Sequence, residues 1–367
     1  MAEKEINARS PWPLDTTISF DRVLGEVGRE GMQGFEILPD GRVHVRVVAK
    51  NAKEVVLDRF GTIYPLEKVD DEGGFEGTLD MGTGFLYFFL KYDGNDVMNP
   101  SLPIGYGCCR PMHFFDIPVP GEEWDRLEGV PHGAVSRHYV PSTVTGKHEI
   151  CLVYTPPKYD PAKKYPVLYL QHGYGENETG WVYQGHVGRI ADNLIAAGEM
   201  AEMIIVMGNG MTQSEKADGM RRMLFPDVLV EDFIPYIESH YNVYTDKWNR
   251  AMAGLSMGSY QTSITTLTHP ELFGYAGLFS GFLRAPWPTP DEEPHLAIIK
   301  DKERFNREFK VFYRAMGTED QYFNSFAADD EYLSDKGVNM IRETFPGYHE
   351  WTVWRRCIHS FLPRIFR

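Results

Sequence analysis

The stretch Gly254-Leu255-Ser256-Met257-Gly258 constrains this chain more than any other. It has the form G-x-S-x-G. Before it, Arg250-Ala251-Met252-Ala253 reads as a short buried strand; after it, Ser259 to Leu267 reads as the start of a helix. A serine on such a strand-to-helix turn sits in strained backbone, with its Oγ pushed out above the sheet. A Cβ on either flanking residue would clash in so sharp a turn, which calls for the two glycines. The turn also aims the Met257 amide at the place where an oxyanion would form. Glycine is common here, 35 of 367 residues, so the pattern needs support from the rest of the chain.

A length of 367 residues suits one large domain and a smaller one. Hydrophobic residues make up 43% and charged residues 24%, the balance of a globular chain with a sizeable core. The net charge of −15 argues against nucleic acid or an anionic membrane surface as partner. No apolar run reaches membrane-spanning length, and Met1 to Ile6 lacks a basic or apolar leader pattern. These features lead us to expect a cytoplasmic protein, although a leader removed beforehand would be invisible. The charge fits a neutral or uncharged substrate, and homo-oligomerisation stays open. The four cysteines form no C-x-x-C pair, so reduced, mostly buried thiols are expected, with no metal and no cofactor.

Residues 1–120 read as short strands separated by turns. Gly41 to Val47 alternates apolar and polar, and Val55 to Leu57, Phe75 to Leu79 and Phe85 to Tyr92 follow. This predicts an immunoglobulin-like β-sandwich. Residues 121–132, rich in Pro, Gly and acidic side chains, read as a linker. Residues 133–367 open with two polar edge strands, around Ala134 to Tyr139 and Glu149 to Tyr154. From Tyr165 short apolar runs alternate with amphipathic segments, which predicts an α/β fold with a mostly parallel sheet and helices on both faces. Ligands in such folds bind at the C-terminal ends of the strands.

A serine hydroxyl is a weak nucleophile and needs an adjacent base, itself oriented by an acid. Four histidines follow Ser256. His349 lies in a turn between the last predicted strand and the last helix, at the C-terminal sheet edge. His359 falls within the last helix beside the buried stripe Trp351, Trp354 and Ile358, where a packing role is the simpler reading. His269 reads as a helix C-cap and His295 as a solvated loop residue. The acid should follow the strand Val311 to Ala315. Both Glu319 and Asp320, in Gly317-Thr318-Glu319-Asp320, qualify chemically there. A second oxyanion donor should come from Gln171-His172-Gly173-Tyr174-Gly175, after the strand Val167 to Leu170, through the Tyr174 amide.

Taken in order, His172 to Gly175, Trp181, Ile190 to Gly198, Gly254 to Gly258, Gly317 to Asp320 and Gly347 to Trp354 resemble the esterase D-like family of α/β-hydrolases. The likeness is greatest to bacterial feruloyl (cinnamoyl) esterases and covers roughly residues 133–367. It implies Ser256 as nucleophile, Asp320 as acid and His349 as base, with a small-molecule or oligosaccharide ester as partner: hydroxycinnamoyl esters of plant cell-wall saccharides or small phenolic esters. Acetyl-xylan and siderophore-type esterases share the scaffold, and a glycan-binding protein with a vestigial esterase domain is a further alternative. The N-terminal segment resembles early-set immunoglobulin-like domains found before such esterases. One departure is Ser259, where many relatives carry a third glycine. The pocket walls are expected among Trp181, Met223, Trp287 and Tyr348, whose flat or polarizable side chains suit an aromatic acyl group.

Overall fold

The computed structural model describes residues 34–212, 223–284 and 293–367. The chain divides into two compact units, Met1–Glu123 and Trp124–Arg367.

Among its described residues the first unit holds nine strands: β1 (Phe35–Ile37), β2 (Val43–Val48), β3 (Val55–Arg59), β4 (Thr62–Lys68), β5 (Gly74–Leu79), β6 (Gly84–Tyr92), β7 (Asn95–Val97), β8 (Ile104–Gly107) and β9 (Arg110–Ile117). They form one hydrogen-bonded path, β1-β2-β5-β4-β3-β6-β9-β8, with β7 on β6. Every pairing is antiparallel. In β2 the alternating residues Val43, Val45 and Val47 are buried, as the sequence alternation requires of a half-buried strand. Strand β4 was not expected. Its Thr62-Ile63-Tyr64 start suits a strand, but Pro65 within it and exposure of most of its residues leave no buried alternation to mark it.

The second unit is built on an eight-stranded mixed sheet: β10 (Ala134–Pro141), β11 (His148–Thr155), β12 (Val167–Gln171), β13 (Ile204–Gly208), β14 (Arg250–Leu255), β15 (Tyr275–Phe279), β16 (Val311–Gly317) and β17 (Ile341–Phe345). The order is β10-β11-β13-β12-β14-β15-β16-β17. Strands β10 and β11 pair antiparallel at one edge, as their polarity suggested, and β12 to β17 run parallel. Strands β12, β13, β14 and β15 are buried at every residue. Burial on both faces explains why they read as unbroken apolar runs. One cluster packs Val153, Tyr169, Val206 and Met252 against Phe233 and Ile237; another packs Leu278 and Phe312 against Leu296 and Leu333.

The helix Trp351–Phe361 has the expected limits; Trp351, Trp354 and Ile358 are buried, but so are Thr352, Val353, Arg355, Cys357 and Phe361, so burial is not confined to one stripe. The helix expected over Asp329 to Lys336 starts earlier, at Phe323. Residues expected as a linker belong to the second unit from Trp124 onward. Trp124 stacks on His359 with ring centroids 4.7 Å apart, and His132 Nδ1 lies 3.0 Å from Asp192. Asp125 pairs with Arg189 at 2.7 Å. The Pro, Gly and acidic composition therefore marks an irregular strap, not a free connector. Of the four cysteines, none in a disulfide, Cys151 and Cys357 are buried but Cys108 and Cys109 are exposed, at the two-residue turn between β8 and β9.

Candidate active site

Four of the parallel strands end at the predicted site. Strand β14 runs into Ser256, β12 into His172, β16 into the loop bearing Asp320, and β17 into the loop bearing His349. Ser256 has φ 51° and ψ −116°, outside the basins a serine ordinarily occupies. Sterics hold it there. A Cβ on Gly254 would lie 2.5 Å from the Gly258 carbonyl, and one on Gly258 would lie 2.5 Å from the His172 oxygen. Elbow and His-Gly loop therefore interlock through the absence of two side chains.

His349 Nε2 stands 2.9 Å from Ser256 Oγ, and His349 Nδ1 stands 2.7 Å from Asp320 Oδ2. The line spans the 93 residues between Ser256 and His349. Tyr322 and Trp354 pack edge-on against the imidazole, with centroids 5.3 and 5.2 Å away. The Trp354 indole is itself fixed by donating to Ser280 Oγ at 2.9 Å. Asp320 is buried, and burial by itself raises its pKa. The His349 hydrogen bond and charge outweigh this, with the Tyr322 amide and the Ser280 hydroxyl, and hold the carboxyl below its ordinary value. Glu319 is exposed and serves the turn instead: it accepts the Gly347 amide and the Thr318 hydroxyl. Of the two acids open in the sequence, Asp320 is the one against the imidazole.

The loop after β12 lies against the elbow. A Cβ on Gly173 would lie 3.4 Å from Ser256 Cβ. The Tyr174 phenol is exposed, and among the described residues none accepts the Tyr174 amide. Met257 is the first residue of the helix Met257–Thr268, a position whose amide has no intrahelical acceptor. Two backbone donors thus flank the serine.

The expected pocket walls fare differently. Trp181 is 1% exposed; its indole donates to the Gln171 carbonyl at 2.9 Å and its ring meets Trp351 edge-on at 5.3 Å. It is a core residue beneath the His-Gly loop, not a wall. Met223 is half-buried and Tyr348, next to His349, is exposed. Trp287 lies outside the described residues. His359 packs on Trp124, and His269 caps its helix through its amide to the Thr265 carbonyl. His295, expected in solvent, is buried and bonded to the Leu283 carbonyl at 3.0 Å. Its acidic, Pro-rich surroundings misled because Glu293, 3.4 Å away, turns inward with it. Among the described residues, no three His, Cys, Asp or Glu side chains are grouped to hold a metal ion.

Sequence reasoning missed Gln261 and Gly210. Gln261 Nε2 donates to the Gly210 carbonyl at 2.8 Å, and the Gly210 amide donates to His172 Nε2 at 2.8 Å. These partners lie 51 and 38 residues apart, so no local pattern reports them.

A mixed, mainly parallel sheet with a serine, imidazole and carboxylate in line at its C-terminal edge is the arrangement of the α/β serine hydrolases. The chain belongs to the Esterase family, whose model matches residues 142–365. It is 33% identical over 365 residues to an endo-1,4-β-xylanase/feruloyl esterase of Xylanibacter ruminicola, a match covering 95% of this chain and 48% of the relative. The chain thus spans about half the length of that curated relative. Among solved structures it is similar to a ferulic acid esterase of Anaeromyces mucronatus in complex with ferulic acid, at 27% identity and TM-score 0.58. That match covers 68% of this chain and 96% of the other. The enterobactin esterase of Shigella flexneri matches 90% of this chain and 94% of its own, with TM-score 0.66 and 13% identity, a likeness of fold alone.

Proposed function

We propose that this protein is a serine carboxylesterase that releases hydroxycinnamic acids of the ferulate type from plant cell-wall saccharides or small phenolic esters. The hydrogen-bonded line from Ser256 through His349 to Asp320 carries the reaction type. The similarity to the xylanase/feruloyl esterase, over nearly the whole chain, supports the acyl group.

Ser256 Oγ attacks the ester carbonyl carbon while His349 Nε2 takes the hydroxyl proton. The resulting oxyanion is stabilised by the Met257 and Tyr174 amides. Removing one such donor typically costs about 2.7–4 kcal/mol of transition-state stabilisation. Collapse expels the alcohol, which takes the proton from His349, and leaves an acyl-serine. Water then gives its proton to His349 and attacks the acyl carbon; the acid departs and Ser256 regains its proton. Asp320 stays ionised, holds the His349 Nδ1 proton and stabilises the imidazolium.

In the same reading the N-terminal unit is an early-set immunoglobulin-like domain. Its antiparallel strands support this assignment. The net charge of −15 disfavours an anionic ferric catecholate as substrate, which weighs against a siderophore esterase.

The test is turnover of methyl ferulate by the purified chain beside Ser256→Ala. Ferulate release by the wild type alone supports the proposal. Turnover of acetyl esters with none of any hydroxycinnamate overturns the substrate reading, and equal activity in the variant overturns the mechanism.

A further inference from the structure

His172 is a buried imidazole that the reaction above does not use. Both of its nitrogens are engaged by backbone. The Gly210 amide donates to Nε2 at 2.8 Å, so Nε2 presents its lone pair. The ring proton is thereby assigned to Nδ1, which donates to the Gly173 carbonyl at 2.8 Å. In a trans peptide the carbonyl and the following N–H point in opposite directions. The Gly173 oxygen is held by the imidazole and, more loosely, by the Glu176 amide at 3.3 Å, which fixes the Tyr174 N–H to face away from the ring.

The acceptor side of this device is held just as firmly. The Gly210 carbonyl accepts from Gln261 Nε2 at 2.8 Å. A Cβ on Gly210 would lie 2.1 Å from Gln171 Nε2 and 2.7 Å from Gln261 Oε1, so a larger residue there would have to displace the glutamine amides. Gln261 lies on the helix that begins directly after Ser256. One chain of hydrogen bonds thus runs from the nucleophile's helix, through Gly210 and His172, to the peptide that carries the second oxyanion donor.

We propose that His172 is a positioning residue for the oxyanion site, acting as a neutral imidazole that donates from Nδ1 to aim the Tyr174 amide. This rests on the esterase reading above. A protonated ring would set an Nε2 hydrogen against the Gly210 amide hydrogen and break the chain. Burial holds the His172 pKa down to about 4, with the Gly173 carbonyl, Glu178 and Asn209 acting in the opposite direction, so the ring is neutral across the ordinary working range.

Two substitutions in the full chain separate the roles of the two nitrogens. In His172→Asn the side-chain amide can donate where Nδ1 did, but the Gly210 amide loses its acceptor. In His172→Gln the amide oxygen can accept where Nε2 did, but the donation to Gly173 is lost. We expect His172→Asn, which keeps a donor to Gly173 but breaks the bond from Gly210, to lose clearly less kcat than His172→Gln. His172→Gln should lose kcat by an amount approaching the roughly 10²-fold typical of a lost oxyanion donor, with KM little changed. Ser256 labelling by an organophosphonate, which builds a similar oxyanion, should slow in parallel. Equal kcat losses in both variants, no loss in either, or a change confined to KM would overturn the proposal. Nitrogen-15 NMR of the wild-type His172 ring needs neither a folded variant nor a turned-over ester. A protonated Nδ1 with a bare Nε2 is expected, and the opposite tautomer overturns the assignment. Inactivity of the wild type on every ester would defeat the esterase reading, while the NMR result decides the tautomer on its own.

Discussion

Ser259 Oγ donates to the Ser256 carbonyl at 2.6 Å and accepts the Phe282 amide at 2.8 Å. Ser259 thus ties the strained elbow to the neighbouring loop. Phe282 in turn packs edge-on against Tyr322 at 4.9 Å, and Tyr322 packs against His349. Replacing Ser259 by Ala leaves the Phe282 amide without its acceptor, at a cost of about 1–3 kcal/mol, while the Ser256 carbonyl keeps the Ser259 and Tyr260 amides. We expect a lower urea midpoint for Ser259→Ala, with kcat reduced only modestly because Ser256, His349 and Asp320 keep their contacts.

Asp320 and Glu319 are neighbours with opposite environments. The first is buried against His349 Nδ1, and the second is exposed and bonded to the turn at Gly347. Asp320→Asn keeps the shape but favours the wrong imidazole tautomer, and losses of about 10⁴-fold in kcat follow from such a change elsewhere. Glu319→Gln should leave kcat nearly unchanged. Steady-state kinetics on methyl ferulate checks both; a large loss in Glu319→Gln with little in Asp320→Asn would reverse the assignment of the acid.

The sequence made the second unit legible because its central strands, β12 to β15, are short apolar runs buried on both faces. Tyr275–Phe279 and Trp351–Phe361 have the limits their patterns suggest. Ser256, Asp320 and His349 could be placed because each follows the end of a parallel strand, a relation fixed by topology rather than by local contacts. What stayed hidden depends on partners far apart in the chain. The tautomer of His172 is set by Gly210, and the inward turn of His295 by the Leu283 carbonyl. Aromatic character alone misassigned Trp181, since a wall and a buried support share the same residue type and only the Gln171 and Trp351 contacts distinguish them.

That correction has its own consequence. Trp181→Ala removes a buried indole from beneath the His-Gly loop and should cost about 3–5 kcal/mol of stability. Trp181→Phe keeps a ring against Trp351 but leaves the Gln171 carbonyl without its donor, for a smaller loss of about 1–3 kcal/mol. Thermal unfolding of both variants, with KM measured on the folded fraction, tests this. A raised KM with unchanged stability would return Trp181 to the pocket.

Acid stability carries a signature of two buried groups. The folded pKa of His172 is held at about 4, below its ordinary 6.5, so between these values the unfolded chain binds a proton that the folded chain refuses. Its contribution is full above 6.5 and is lost as pH falls toward 4. The Asp320 carboxyl is also held below its ordinary 3.8, so its contribution is present above that value and disappears at still lower pH. His113 is lowered by burial as well, so each contribution must be read as wild type minus variant. Urea unfolding at a series of pH values should give a flatter profile between pH 6.5 and 4 for His172→Asn. For Asp320→Asn the profile should flatten only below the ordinary carboxylate value. A His172→Asn profile parallel to wild type across the upper window would mean that the imidazole is protonated in the folded chain, contrary to its contacts with Gly210 and Gly173.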